Sequence, residues 1–178
     1  AHKLNTALAA QGMRLDGLYA VNGMCSPTRA TIMTGLMPSQ HGLHNWLEDR
    51  QMDQWPADWN AITEFRTVPR TLRDAGYQTA LIGKWHLGQP NRPPSGIEYW
   101  ITFLVGHTVD FWNNTVVDNG RQYKVEDQHI VDFFTSLPWW KLKPNDDFFA
   151  VTGQDAAQRE LTHVVYTRNK AGKAAFFL

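Results

Sequence analysis

Cysteine is almost absent. A single residue, Cys25, in 178 rules out an internal disulfide framework and a thiolate-rich zinc site. Net charge is absent too. The 17 Lys and Arg residues balance 17 Asp and Glu, which leaves no electrostatic case for nucleic acid or an anionic membrane surface. No apolar run approaches the roughly 20 residues of a membrane span. The opening Ala1-His2-Lys3-Leu4 lacks the charged-then-apolar layout of a signal peptide. There is no internal repeat and no low-complexity tract. What is present is 43% hydrophobic residues, with 8 Trp and 9 Phe, enough for one domain with a buried core. Most of the aromatics are expected in that core, and exposed ones suit stacking on sugar rings.

Local patterns predict an α/β chain. Leu4 to Gln11 reads as a short helix, and Arg14 to Val21 as a strand ending in an Asn22-Gly23 turn. Ser26 to Leu36 carries a helix start, with Ser26 as N-cap and Pro27 in the first helical position. His41 to Thr63 reads as a long, Trp-rich surface loop. Val68 to Ala75 reads as a helix closed by Gly76, and Tyr77 to Gly83 as an apolar strand that delivers Lys84, Trp85 and His86 at its carboxyl end. In open α/β sheets, ligands collect at that end of the strands. Tyr99 to Val105 reads as a strand, Asp118-Asn119-Gly120 as a hairpin turn, Glu126 to Leu137 as a helix and Ala174 to Leu178 as a short terminal strand. The interval from Pro138 to Gly172 has no clean periodicity.

The chemistry concentrates at Cys25. A small nucleophilic side chain is expected just before a helix N-terminus, with Arg29 about one turn further on. Free backbone N–H groups and a guanidinium together suit a tetrahedral oxyanion. These residues alone leave two readings open, an anion-handling nucleophile or a buried cysteine packed at a turn.

The stretch Cys25-Ser26-Pro27-Thr28-Arg29-Ala30, followed by Thr34-Gly35, Pro38 and His41-Gly42, resembles the first signature of the sulfatases of the alkaline phosphatase superfamily. Gly83-Lys84-Trp85-His86-Leu87-Gly88 resembles their second signature, in the right order and after a strand. The resemblance runs from about Leu4 to Val131 and implies a mixed central sheet flanked by helices, alkaline-phosphatase-like, of which the chain is a partial catalytic domain. It implies that a maturation enzyme oxidises Cys25 to formylglycine (3-oxoalanine), whose hydrated aldehyde attacks sulfur and then releases sulfate. It further implies that Cys25 ligates a calcium ion. Arg29 would orient the formylglycine, Lys84 would contact the sulfate and His86 would hydrogen-bond the formylglycine hydroxyl. His107 and Asp110 fall where the family often places substrate contacts. His41 reads as a structural loop residue.

The implied substrate is a sulfate ester, on a sulfated small molecule or glycan, in a secreted, periplasmic or lysosomal setting. Two alternatives accompany it: a phosphonate or phosphate ester hydrolase of the same superfamily, and a non-catalytic fragment that keeps Cys25 as a thiol. The family also opens with a strand ending in paired aspartates that bind calcium. No such pair lies between Ala1 and Asn22, and Asp146-Asp147 comes in the wrong order. The chain is therefore expected to lack the first metal-binding strand and the C-terminal portion, and to be inactive alone.

Overall fold

The computed structural model describes residues 17–94, 96–108, 110–137, 147–154, 161–168 and 176–177. The helix expected over 4–11 lies outside them. Residues 17–21, the described part of the first expected strand, form a turn and irregular backbone instead. Leu18 and Tyr19 are exposed there, so in the described part, 17–21, the alternation is not buried against a sheet.

The helices are α1 (Cys25–Thr34), α2 (Pro38–His41), α3 (Val68–Asp74) and α4 (Ile130–Ser136), with a 3-10 turn at Asp49–Gln54. The strands are β1 (Ala80–Gly83), β2 (Tyr99–Phe103), β3 (Asn114–Asp118), β4 (Arg121–Val125), β5 (Asp147–Gln154), β6 (Leu161–Arg168) and β7 (Phe176–Phe177). Five strands form one sheet in the order β4-β3-β2-β1-β7. β1 pairs in parallel with β2 and β7, while β2-β3 and β3-β4 are antiparallel. This is the mixed α/β sheet that the sequence leads one to expect. The expected terminal strand is its edge β7, where Phe176 and Phe177 face Leu81 and Ile82 in register. The stretch without periodicity contains a separate two-stranded antiparallel ribbon, β5-β6.

Strand parity divides the core. Trp100 packs with Leu81, Trp85, Leu87 and the α1 residues Ala30 and Met33. Phe103, three positions on and therefore on the other face of β2, packs with Val116, Val125 and Ile130 of α4. Helices thus cover both faces. The β3-β4 hairpin turns at Asn119 and Gly120, both at positive φ (46° and 90°), as an Asn-Gly turn requires.

The region expected to be a surface loop, 41–63, is more ordered than its polarity suggests. It holds the end of α2, the 3-10 turn, a buried His41 and a buried Ile62. The reason lies in backbone pairing with the segment after β1. The Ala61 amide donates to the Leu87 carbonyl at 2.8 Å, and the Gln89 amide to the Trp59 carbonyl at 2.9 Å. Between them Gly88 sits at φ 145°, and a Cβ there would come within 2.5 Å of both Asn60 Cα and the Trp59 carbonyl oxygen. Gly88→Ala is therefore expected to destabilise the chain by about 2 kcal/mol or more. Urea unfolding checks this, and an unchanged midpoint would contradict the close approach.

Candidate active site

α1 starts from a turn that the sequence builds with Asn22. Its side-chain oxygen accepts from the Met24 amide at 2.8 Å, and its carbonyl accepts from the Thr28 hydroxyl at 2.7 Å. The helix then begins two residues earlier than expected. Met24 is the N-cap, Cys25 the first helical residue, and no side chain caps the end. Ser26 does not cap because its hydroxyl has another partner, accepting from the Leu47 amide at 3.1 Å. Pro27 still falls in the first turn, where a missing N–H removes no helical bond.

The second part of the site leaves β1. Residues 80–88 are all buried. The chain turns sharply there, with Gly83 at φ 114° and His86 at φ 54°. A left-handed conformation costs a non-glycine residue roughly 1–2 kcal/mol, so His86 must be held in place. Two bonds do so. Arg29 Nη1, on a buried side chain, donates to the Lys84 carbonyl at 2.7 Å. His86 Nε2 lies 2.8 Å from the Leu47 carbonyl.

A carbonyl only accepts, so Nε2 carries the proton, and in the neutral ring Nδ1 presents its lone pair. That Nδ1 faces Cys25 Sγ at 3.0 Å. Residues 61 positions apart thus form a nucleophile–acceptor pair at a helix start, the geometry required for general base assistance.

Of the other residues singled out, Lys84 is buried immediately after β1, two residues before His86. His107 follows β2 and brings its ring to 5.9 Å from that of His86. Asp110 serves its own loop. Its carboxylate accepts from the Trp112 amide at 2.6 Å and the Asn113 amide at 3.3 Å, and these bonds hold its pKa below the ordinary value. Trp46, Leu47 and Ser26 are the residues that sequence reasoning misses. The Trp46 ring stands edge-on to His86 at 6.1 Å. Leu47 acts through its backbone, which leaves no trace in residue type.

His41 is structural, as expected. Its Nδ1 accepts from the Leu43 amide at 3.2 Å, so Nε2 carries the proton, 3.2 Å from the Thr31 hydroxyl. Burial pushes its pKa below 6.5.

For a hard divalent cation the donors do not suffice. Calcium takes about six to eight oxygen ligands. Among the described residues no group of three or more His, Cys, Asp or Glu side chains converges on one point. Cys25 offers sulfur, and its partner is an imidazole nitrogen.

The sulfatase family model matches residues 2–157. The chain belongs to the sulfatase family. An N-acetylglucosamine-6-O-sulfatase of Bacteroides thetaiotaomicron is 33% identical over 129 residues, covering 72% of this chain and 20% of that protein. The human N-acetylglucosamine-6-sulfatase is 30% identical over 144 residues, covering 76% of this chain and 25% of the relative. A solved structure in complex with its substrate D-glucosamine-2-N,6-O-disulfate aligns with a TM-score of 0.58 at 29% identity, over 80% of this chain and 26% of that one. This sulfatase chain therefore spans a fifth to a quarter of the length of these curated relatives.

The burial of His41 sets a pH dependence. The native pKa lies below the unfolded one, so the unfolded chain binds the extra proton. The contribution is fully present above pH 6.5 and is lost as pH falls through the native value. His41→Gln is expected to flatten the acid-side fall in thermal midpoint. Wild-type and variant curves that run parallel between about pH 7 and 5 would contradict it.

Proposed function

We propose that the protein carrying this chain hydrolyses sulfate esters of a sulfated carbohydrate, with Cys25 as the precursor of its formylglycine nucleophile. The observation that carries this reading is the 3.0 Å approach of Cys25 Sγ to His86 Nδ1, with the ring fixed from behind by Leu47. Two relatives named for N-acetylglucosamine 6-sulfate and a structural neighbour bound to a sulfated glucosamine support the carbohydrate part.

Formylglycine, once formed, supplies a hydrated aldehyde oxygen where the thiol stood. The position suits it, because a hydroxyl there donates to Nδ1 as readily as a thiol does. His86 then holds that hydroxyl and takes its proton, while Nε2–H stays on the Leu47 carbonyl. Lys84 adds positive charge for the sulfate beside the strand end, and the α1 N-terminus adds its N–H groups. Arg29 keeps both halves in register. His107, close to His86, is positioned for substrate contact, and Asp110 shapes the neighbouring loop. Calcium enters as the family's ion, with oxygen ligands needed from beyond the described residues. A maturation enzyme is the required partner for Cys25. The reading also places the protein in a secreted, periplasmic or lysosomal setting. No described helix is long and apolar enough to cross a membrane.

The test uses the complete protein, co-produced with a formylglycine-generating enzyme. Mass spectrometry is expected to find residue 25 lighter than cysteine. Cys25→Ala is expected to abolish turnover of 6-O-sulfated glucosamine, and His86→Ala to lower it about 10²- to 10⁴-fold. Full turnover by Cys25→Ala, or an unmodified thiol in an active preparation, would sink the reading. Faster hydrolysis of a matched phosphate ester would move it to the phosphate or phosphonate class.

A further inference from the structure

We infer that Ser26 is a positioning residue for His86, acting through the Leu47 backbone. The inference takes its consequence for turnover from the sulfate-ester reading, whereas its geometry stands independently. Ser26 is fully buried and directly follows Cys25 on α1. Its hydroxyl accepts the Leu47 N–H at 3.1 Å, and the carbonyl of the same residue accepts Nε2–H of His86 at 2.8 Å. The Leu47 residue is thus held at its amide by the nucleophile's helix, and it holds the base at its carbonyl.

The circuit closes through Cys25 Sγ and His86 Nδ1 at 3.0 Å. It therefore fixes two things at once: the distance between the two groups and the tautomer of the ring. Removing the Ser26 oxygen takes its acceptor from the half-buried Leu47 amide and frees the 46–47 peptide to shift. The 47–48 peptide, joined to it at the Leu47 Cα, is then less firmly held, and its carbonyl loses its grip on Nε2. His86, at φ 54°, then loses one of the bonds that hold its unfavourable backbone and its ring orientation. Partners that orient a functional imidazole through its far nitrogen commonly set its basicity and its proton position.

The test reads the imidazole directly. In the complete protein labelled with ¹⁵N-histidine, the His86 signals are assigned by their loss in His86→Gln. Wild type is expected to show the proton on Nε2 and a bare Nδ1. Ser26→Ala is expected to show mixed tautomers and a kcat lower by about tenfold with KM unchanged. Ser26→Thr keeps the oxygen and is expected to restore both. A wild-type tautomer and wild-type kcat in Ser26→Ala would overturn the inference, even with a lowered melting temperature. So would a proton on Nδ1 in the wild type. If wild type fails to turn over any sulfate ester, the functional reading falls while the ring signals still decide the clamp. Should Ser26→Ala not fold, the wild-type ring together with hydrogen exchange at the Leu47 amide decides. A proton on Nε2 with a slow amide supports the clamp, and a proton on Nδ1 or a fast amide overturns it.

Discussion

The site depends on the buried hydrogen bond from Arg29 Nη1 to the Lys84 carbonyl, 2.7 Å long. A guanidinium is expensive to bury unless its donors find acceptors. Arg29 is 4% exposed, so its bonds fix where α1 lies against the carboxyl end of β1. Cys25 stands about one helical turn before Arg29, and His86 stands two residues after Lys84. Docking the helix on the strand therefore brings Cys25 and His86 within reach, although neither the helix nor the strand contains both.

The segment after β1 accepts strain to make this possible. Gly83, His86 and Gly88 all take positive φ, and the run is buried throughout. Backbone unusual at this density persists only when neighbours determine it. Arg29 fixes Lys84, Leu47 fixes His86, and the 59–61 backbone fixes Leu87 and Gln89. The glycines of the second signature serve this path. Gly88 gives the room that lets the 59–61 backbone approach, and a side chain there would collide with it. Rigidity at the site thus comes from hydrogen bonds to main-chain groups, with the Trp85–Trp100 contact (ring centroids 5.2 Å apart) packed in the core cluster they share.

How much of this is legible in the sequence follows from which atoms carry it. Cys25, Arg29 and His86 make these contacts through side chains, and the two signatures contain all three together with Lys84. Strand β1, the Asn119-Gly120 hairpin and the β7 edge are readable because apolar runs and Asn-Gly pairs act locally. The helix start is misread by two residues, since Ser26 looks like a cap and instead bonds to a residue 21 positions away. The 41–63 region reads as a loop because its order comes from backbone bonds to 86–89, which composition does not encode. Leu47 is invisible for the same reason. Asp110 illustrates the opposite case, a residue conspicuous by type whose carboxylate closes a local turn.

Residue 25 and His86 form one hydrogen-bonded unit backed by Leu47. A crystal structure of the complete, matured protein is the decisive measurement. Electron density is expected for an oxygen-bearing side chain at position 25 within hydrogen-bond reach of His86 Nδ1, with Nε2 on the Leu47 carbonyl. A His86 ring turned away from residue 25, or bonded to it through Nε2, would contradict it.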